Sequence, residues 1–156
     1  MNVKVGTNFF CLVMLVGILS PARQAQATLG EGADSIVRDR KALSAKQLST
    51  TCHASYTIQE IASEATTIRE YLTLSGVVFA IAWNGLVNPD LTTLLGSYAG
   101  EFEEAKQQSP SSPGQRQLTV RSNRVVVETG GHMRDLRGRA YLPALLPGGV
   151  SVDEIN

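Results

Sequence analysis

Seven consecutive apolar residues, Val-Val-Phe-Ala-Ile-Ala-Trp, occupy positions 77–83. A short run of this kind, rich in β-branched and aromatic side chains, suits a central strand covered on both faces of its sheet. Its neighbours supply more of that sheet. Residues 56–62 alternate, with Tyr56 and Ile58 on one face and Thr57, Gln59 and Ile61 on the other. Residues 67–73 are again β-branched and aromatic. Ser75-Gly76 is a hairpin signal, because glycine accepts the positive φ of a tight turn. Glu64-Ala65 fits a turn between the first two strands.

Helical signals flank this β-rich centre. Asp34-Ser35 can cap a short helix over 36–45, with Ile36, Val37, Arg40 and Leu43 as a modest apolar stripe. Residues 50–55 read as a polar connection carrying Cys52 and His53. After the central strand, Asn88 suits a cap and Pro89 the first helical position, where no N–H partner is needed. Leu91, Leu94, Leu95, Tyr98, Phe102 and Ala105 then recur at helical spacing. Gly96 and Gly100, four apart, would let that helix approach a sheet closely, and Glu101, Glu103 and Glu104 form its solvated face. Residues 109–115 (Ser-Pro-Ser-Ser-Pro-Gly-Gln) read as a flexible loop inside one domain.

Beyond that loop, 118–120 and 124–128 predict a second hairpin about Ser122-Asn123. Gly130-Gly131 predicts a sharp change of direction. Residues 133–136 and 139–142 read as a last strand pair or one bent strand. Pro143 and Pro147 hold the tail extended or turning. The expectation is an α+β domain: an antiparallel sheet of about five to seven strands covered by one long and one short helix. The short connections exclude a doubly wound parallel sheet, which needs a helix between strands.

The first 27 residues read as an address. Lys4 precedes an 11-residue apolar run at 9–19, Ser20-Pro21 breaks it, and Ala25-Gln26-Ala27 offers the small residues of a cleavage site. That run is short for a ~30 Å hydrocarbon core, which takes ~20 residues. The expectation is a secretory signal cut near Ala27, a single domain over 28–156, a periplasmic or secreted location, and no transmembrane span in the mature form. An uncleaved anchor is the alternative, since Arg23 flanks the run. The whole chain balances 14 basic against 14 acidic residues. Loss of Lys4 and Arg23 leaves about −2, which argues against a general nucleic-acid or anionic-membrane binder. Cys11 would leave with the signal, so Cys52 is either a free thiol or pairs between chains.

Several segments together resemble the DUF2844 proteins. They are Tyr56-Thr57-Ile58-Gln59-Glu60-Ile61, Ile68-Arg69-Glu70-Tyr71, Gly76 with the apolar run to Trp83, Pro89-Asp90-Leu91, Leu94-Leu95-Gly96-Ser97-Tyr98, Gly131-His132-Met133-Arg134 and Gly138-Arg139-Ala140-Tyr141-Leu142-Pro143. The resemblance covers nearly all of the chain after the leader. It implies an exported bacterial protein and no particular activity. One departure follows Ile61, where the family often carries a Gly-rich turn and this chain has Ser63-Glu64-Ala65.

Candidate chemistry is sparse. His132 follows two glycines, which allow close approach of a ligand, and imidazole can serve as acid, base or metal ligand. Cys52, His53 and His132 would make a soft ligand set, but no CxxC or HxxxH spacing supports it. Cys52 with His53 or His132 could form a thiol nucleophile pair, although adjacent residues on an extended chain point opposite ways, which makes Cys52–His53 alone poor geometry. No G-x-S-x-G elbow, phosphate loop or H-E-x-x-H occurs, and no cofactor or metal is implied. Arg134, Arg137 and Arg139, with Arg121 and Arg124 nearby, form the densest basic segment. It suits an anionic ligand such as a lipid headgroup or an acidic polysaccharide, or plain pairing with Glu60, Glu70, Glu128 and Asp135. Arg69 and Glu70 straddle one strand, so one of them is expected to be buried and paired. Trp83 would line a pocket or belong to the core.

The expected ligand-binding residues are thus Trp83, His132, Arg134 and Arg139, with no catalytic residue. The expected partner is an envelope protein or an anionic ligand. The functional expectation is an exported, non-catalytic binding or accessory module of the periplasm or envelope. Two alternatives stand beside it: a small hydrolase or thiol enzyme using His132 and Cys52, and a structural subunit assembling through a sheet edge.

Overall fold

The computed structural model describes residues 29–42, 44, 46–63, 65–109 and 117–156. The predicted signal at 1–27, with Ala25 and Ala27, lies outside them, as does most of the loop at 109–115. The described chain runs α1 (Asp34–Ala42), β1 (Lys46–Cys52), β2 (Tyr56–Ala62), β3 (Thr66–Thr73), β4 (Val78–Gly85), α2 (Leu91–Leu95), α3 (Ala99–Gln108), β5 (Gln117–Arg121), β6 (Val126–His132) and β7 (Asp135–Tyr141). All seven strands join one antiparallel sheet in the order β1-β2-β3-β4-β7-β6-β5. The α+β expectation holds. The apolar run is the middle strand, with every residue from Val78 to Trp83 buried.

Each face of the sheet has its own core. On one face Ile61, Ile68, Leu72, Val78, Ile81, Trp83, Val120, Val127 and Ala140 pack under Ile36, Leu94, Leu95 and Phe102 of the helices. On the other, Tyr56, Tyr71, Phe79, Ala80, Ala82, Val126 and Tyr141 gather around Ile155 from the C-terminal segment. A register shift opposite Tyr71 and Leu72 explains how β4 serves both: Ala80 pairs with Tyr71 while Val78 pairs with Leu72. The extra residue, Phe79, then joins Ala80 on the tail face, where its ring lies edge-on to those of Tyr56 and Tyr71. Antiparallel sheets often leave one face wet; here a tail of two 3₁₀ turns, Pro143–Leu145 and Val152–Glu154, takes up part of that role.

Several local expectations are corrected. The first half of the polar connection at 50–55 is strand, because β1 runs to Cys52 as an edge strand with all seven residues exposed. With neither face covered, no alternation of apolar residues marks it. The long helix expected over 91–105 is present and reaches Gln108, with a 3₁₀ turn at Gly96–Tyr98 between α2 and α3. Its cap is Asp90, whose Oδ1 accepts from Thr92 N at 3.0 Å, while Asn88 Oδ1 accepts from the Trp83 indole at 3.3 Å. Gly96 takes φ +52 where α2 ends, and a Cβ on Gly100 would meet nothing, so the two glycines do not bring a helix onto the sheet. Gly130-Gly131 does not turn the chain either. Both stay in β6, and the reversal comes at Met133-Arg134, with Arg134 at φ +71. The last strand is one element, β7.

Removing the cap carboxylate should cost about 1 kcal/mol, since Asp-to-Ala changes at this position leave a helical N–H unpaired. Hydrogen bonding, first from the Thr93 hydroxyl, holds the Asp90 carboxyl below its usual range. A depressed carboxylate stabilises above its unfolded pKa and loses that contribution as pH falls through the folded value. Urea unfolding of Asp90→Ala should therefore show the deficit at pH 7 and a smaller one in acid; an equal deficit at both would contradict the assignment.

Candidate functional site

One transverse row organises the tail face. The register aligns Ser49, Glu60, Arg69, Ala82, Arg139, Glu128 and Thr119 across all seven strands. Directly opposed residues share a face, so two Glu–Arg pairs flank a small alanine. Arg69 Nε donates to Glu60 Oε2 at 2.7 Å, and Arg139 Nε donates to Glu128 Oε2 at 2.7 Å. The space above Ala82 is filled by Ile155, which is 1 % exposed. Arg69 Nη1 donates to Asn156 O at 2.8 Å and Arg139 Nη1 to Val152 O at 2.8 Å. Val152 O also accepts from Ile155 N at 3.1 Å within the turn, so Arg139 adds a second donor to it. Tyr71 Oη donates to Asn156 O and accepts from Asn156 N, while Tyr56 Oη donates to Glu154 Oε2. Burial is the first cause raising both phenols above their ordinary pKa.

Beyond that row, among the described residues, lies an open basin of about 1010 Å³. The next row is Asn84, Arg137, Gly130 and Gln117. Gly130 leaves bare backbone on the floor. Arg69, Arg139, Glu128, Thr119 and Asn156 form one wall, and His132 and Asp135 the other. Arg137 donates Nε and Nη2 to the two oxygens of Asp135 at 2.9 and 3.0 Å. That bidentate pairing holds the Asp135 carboxyl below its usual range and raises the guanidinium. Both are therefore ionised at neutral pH. The side chains of Asn84, Gln117 and Thr119 make no hydrogen bond among the described residues and, like Arg137, line the basin.

The expected site residues fare differently. His132 and Arg139 line the basin. Arg139 is fully committed, with two nitrogens on Glu128 and the third on tail carbonyls. Trp83 belongs to the helix-face core at 3 % exposure, with its ring packed against Gly138, and only borders the basin. Arg134 sits on the exposed turn outside it. Of the pair at 69–70, Arg69 takes the tail face with Glu60, and Glu70 is fully buried under the helices. Cys52 is an exposed free thiol at the far end of edge strand β1, with four strands between it and His132 on β6, so the structure does not bring them together. His53 stacks on Tyr56 at 4.5 Å. Among the described residues no group of three or more His, Cys, Asp or Glu could hold a metal.

Asn84, Gln117 and Thr119 escaped sequence reasoning. Gln117 and Asn84 are 33 positions apart and meet only through the β4-β7-β6-β5 order. The available signal was weak: polar side chains at alternate positions of strands whose other face is apolar.

Residues 25–155 match a family model described as a protein of unknown function, DUF2844. The chain belongs to the DUF2844 family. No curated protein and no solved structure matches it. Membership agrees with the resemblance carried by the strand and hairpin motifs, and it spans both layers on which the basin rests. Among the described residues of this DUF2844 protein, no helix is long and apolar enough to cross a membrane.

Proposed function

We propose that this protein is an exported, non-catalytic binding module of the bacterial envelope and that the basin is its ligand site. The single observation that carries the reading is the uncovered half of the tail face. Its polar groups stand on paired strands, and among the described residues no segment lies over them as the tail lies over the other half. A rigid sheet presenting exposed amides, a hydroxyl and a guanidinium is pre-organised for a polar ligand. The apolar leader supports export. Arginine geometry supports an anionic group, such as a headgroup phosphate or a uronic carboxylate.

The test is titration with glycerol phosphate and with oligogalacturonate, followed by amide NMR. Shifts should map to Gly130, Gly138 and His132, and should weaken with salt. Arg137→Ala should weaken binding about ten-fold, the usual worth of a charge-assisted hydrogen bond. Shifts elsewhere, or none with either probe at millimolar concentration, would remove the basin as an anion site.

A second reading, assembly through a sheet edge, is favoured by β1. All seven of its residues are exposed, and its outer N–H and C=O groups face no other described strand. Such edges template pairing with another chain. Light scattering of the protein and of Thr50→Pro should then differ in mass, and a monomer in both cases would end that reading.

A further inference from the structure

The β6–β7 hairpin ends in a constructed tip. Met133 there is 96 % exposed, and Leu86 and Val87, just after β4, are 57 % and 53 % exposed. They share one end of the sheet, because Gly85 pairs with Leu136 at the close of the β4–β7 register. The backbone beneath them is fixed. Leu86 N donates to Ala65 O at 2.7 Å, and Thr66 Oγ1 donates to Val87 O at 2.6 Å. A Cβ on Gly85 would collide with Ala65 O, and one on Gly131, which holds φ +124, with Asp135 O. Three apolar side chains are thus held in water by tight turns.

Cations accompany them. Arg134 follows Met133 directly. Lys46 opens β1 on the row that runs through Ala62, Thr67 and Asn84 to Arg137. Neither Arg134 nor Lys46 makes an ion pair among the described residues. Among the described residues, Asp135 at this end is neutralised by Arg137, and Asp90, held by the Thr92 N–H and the Thr93 hydroxyl at the start of α2, is the one carboxylate without a cation, so the described groups leave this end with a net positive charge. We propose that this end of the sheet docks peripherally on a lipid surface bearing anionic headgroups, with Met133, Leu86 and Val87 entering the interface and Arg134 and Lys46 meeting the headgroups. The inference concerns a different surface from the basin and stands without it. Near-neutrality of the chain as a whole does not oppose it, since only charges within a Debye length of the surface act. A protein partner fits less well. Protein interfaces centre on a contiguous, packed cluster of anchors, whereas these side chains stand on separate tips.

Co-sedimentation with vesicles of phosphatidylcholine containing about one-third phosphatidylglycerol tests this. The comparison is among the protein, Met133→Asp, Arg134→Gln and Leu74→Asp. Leu74 is 75 % exposed in the β3–β4 turn, at the opposite end of the sheet, and serves as the control. Any contribution from the apolar run at 9–19 is common to all four and cancels. Arg134→Gln should weaken binding about five-fold, the worth of one cation near an anionic surface. Met133→Asp should weaken it by about ten-fold or more, losing apolar contact and adding repulsion. Leu74→Asp should bind as the unaltered protein does, and pure phosphatidylcholine should bind less. Equal binding by all four, equal loss in Leu74→Asp, or no vesicle binding overturns the proposal. So does photo-crosslinking from position 133 that captures protein and not lipid.

Discussion

Gly138→Ala should destabilise the protein by about 3 kcal/mol, at the upper end of what overpacking costs. In an ordinary strand the change would help, since glycine loses more backbone freedom on folding than alanine. Here the new methyl has no room. It would point to the helix face, run into the Trp83 ring and lie 2.9 Å from Glu128 O. The ring cannot easily retreat, because it is 3 % exposed and its indole N–H donates to Asn88 Oδ1. Urea unfolding gives the cost, and a double-mutant cycle gives its cause. Trp83→Leu alone should also destabilise, by opening a cavity. With Gly138→Ala it should lose less than the sum of the two single losses, by about 1 kcal/mol or more. Strict additivity would mean that the methyl is accommodated elsewhere.

That contact also shows what was legible in the sequence and what was not. Strand identity was legible where one face is apolar: β2, β3 and β4 follow directly from alternation or from the uninterrupted apolar run. β1 was not, because a strand exposed on both faces carries no periodic signal. The Gly130-Gly131 pair looked like a bend, since glycine usually punctuates a chain. In the sheet these glycines and Gly138 serve spacing instead: one leaves the basin floor bare and another admits Trp83. Such roles depend on partners brought together by register, and a sequence does not print register between strands that are far apart. The same limit hid the basin. Arg137 was visible only as part of a basic segment, and its neighbours Asn84 and Gln117 belong to it through strand order alone. Arg139, the more tempting ligand by motif, proves to be occupied by Glu128 and the tail.

Ile155→Ala should cost about 3 kcal/mol, as removal of a buried aliphatic side chain does. Nothing near the C-terminal end looks like core by pattern: Ser-Val-Asp-Glu-Ile-Asn has neither strand nor helix period. Yet Ile155 is 1 % exposed and completes the cluster of Tyr56, Tyr71, Phe79, Ala82 and Val126. Its burial is enforced from both sides, because Arg69 and Arg139 hold the carbonyls of Asn156 and Val152 across Ala82. The Ser151–Glu154 capping box fixes the turn that delivers it. Two alternatives are separable. If the tail is a structural layer, Ile155→Ala lowers global stability and speeds amide exchange in β3 and β4, whose tail-face residues it covers. If the tail is a detachable strap, exchange quickens only in residues 150–156 while the unfolding midpoint barely moves. The aromatic cluster argues for the first, since losing the tail would leave Tyr71 and Phe79, both fully buried now, facing water. An unfolding free energy within about 0.5 kcal/mol of the unaltered protein would show instead that the tail face is stable without its cover.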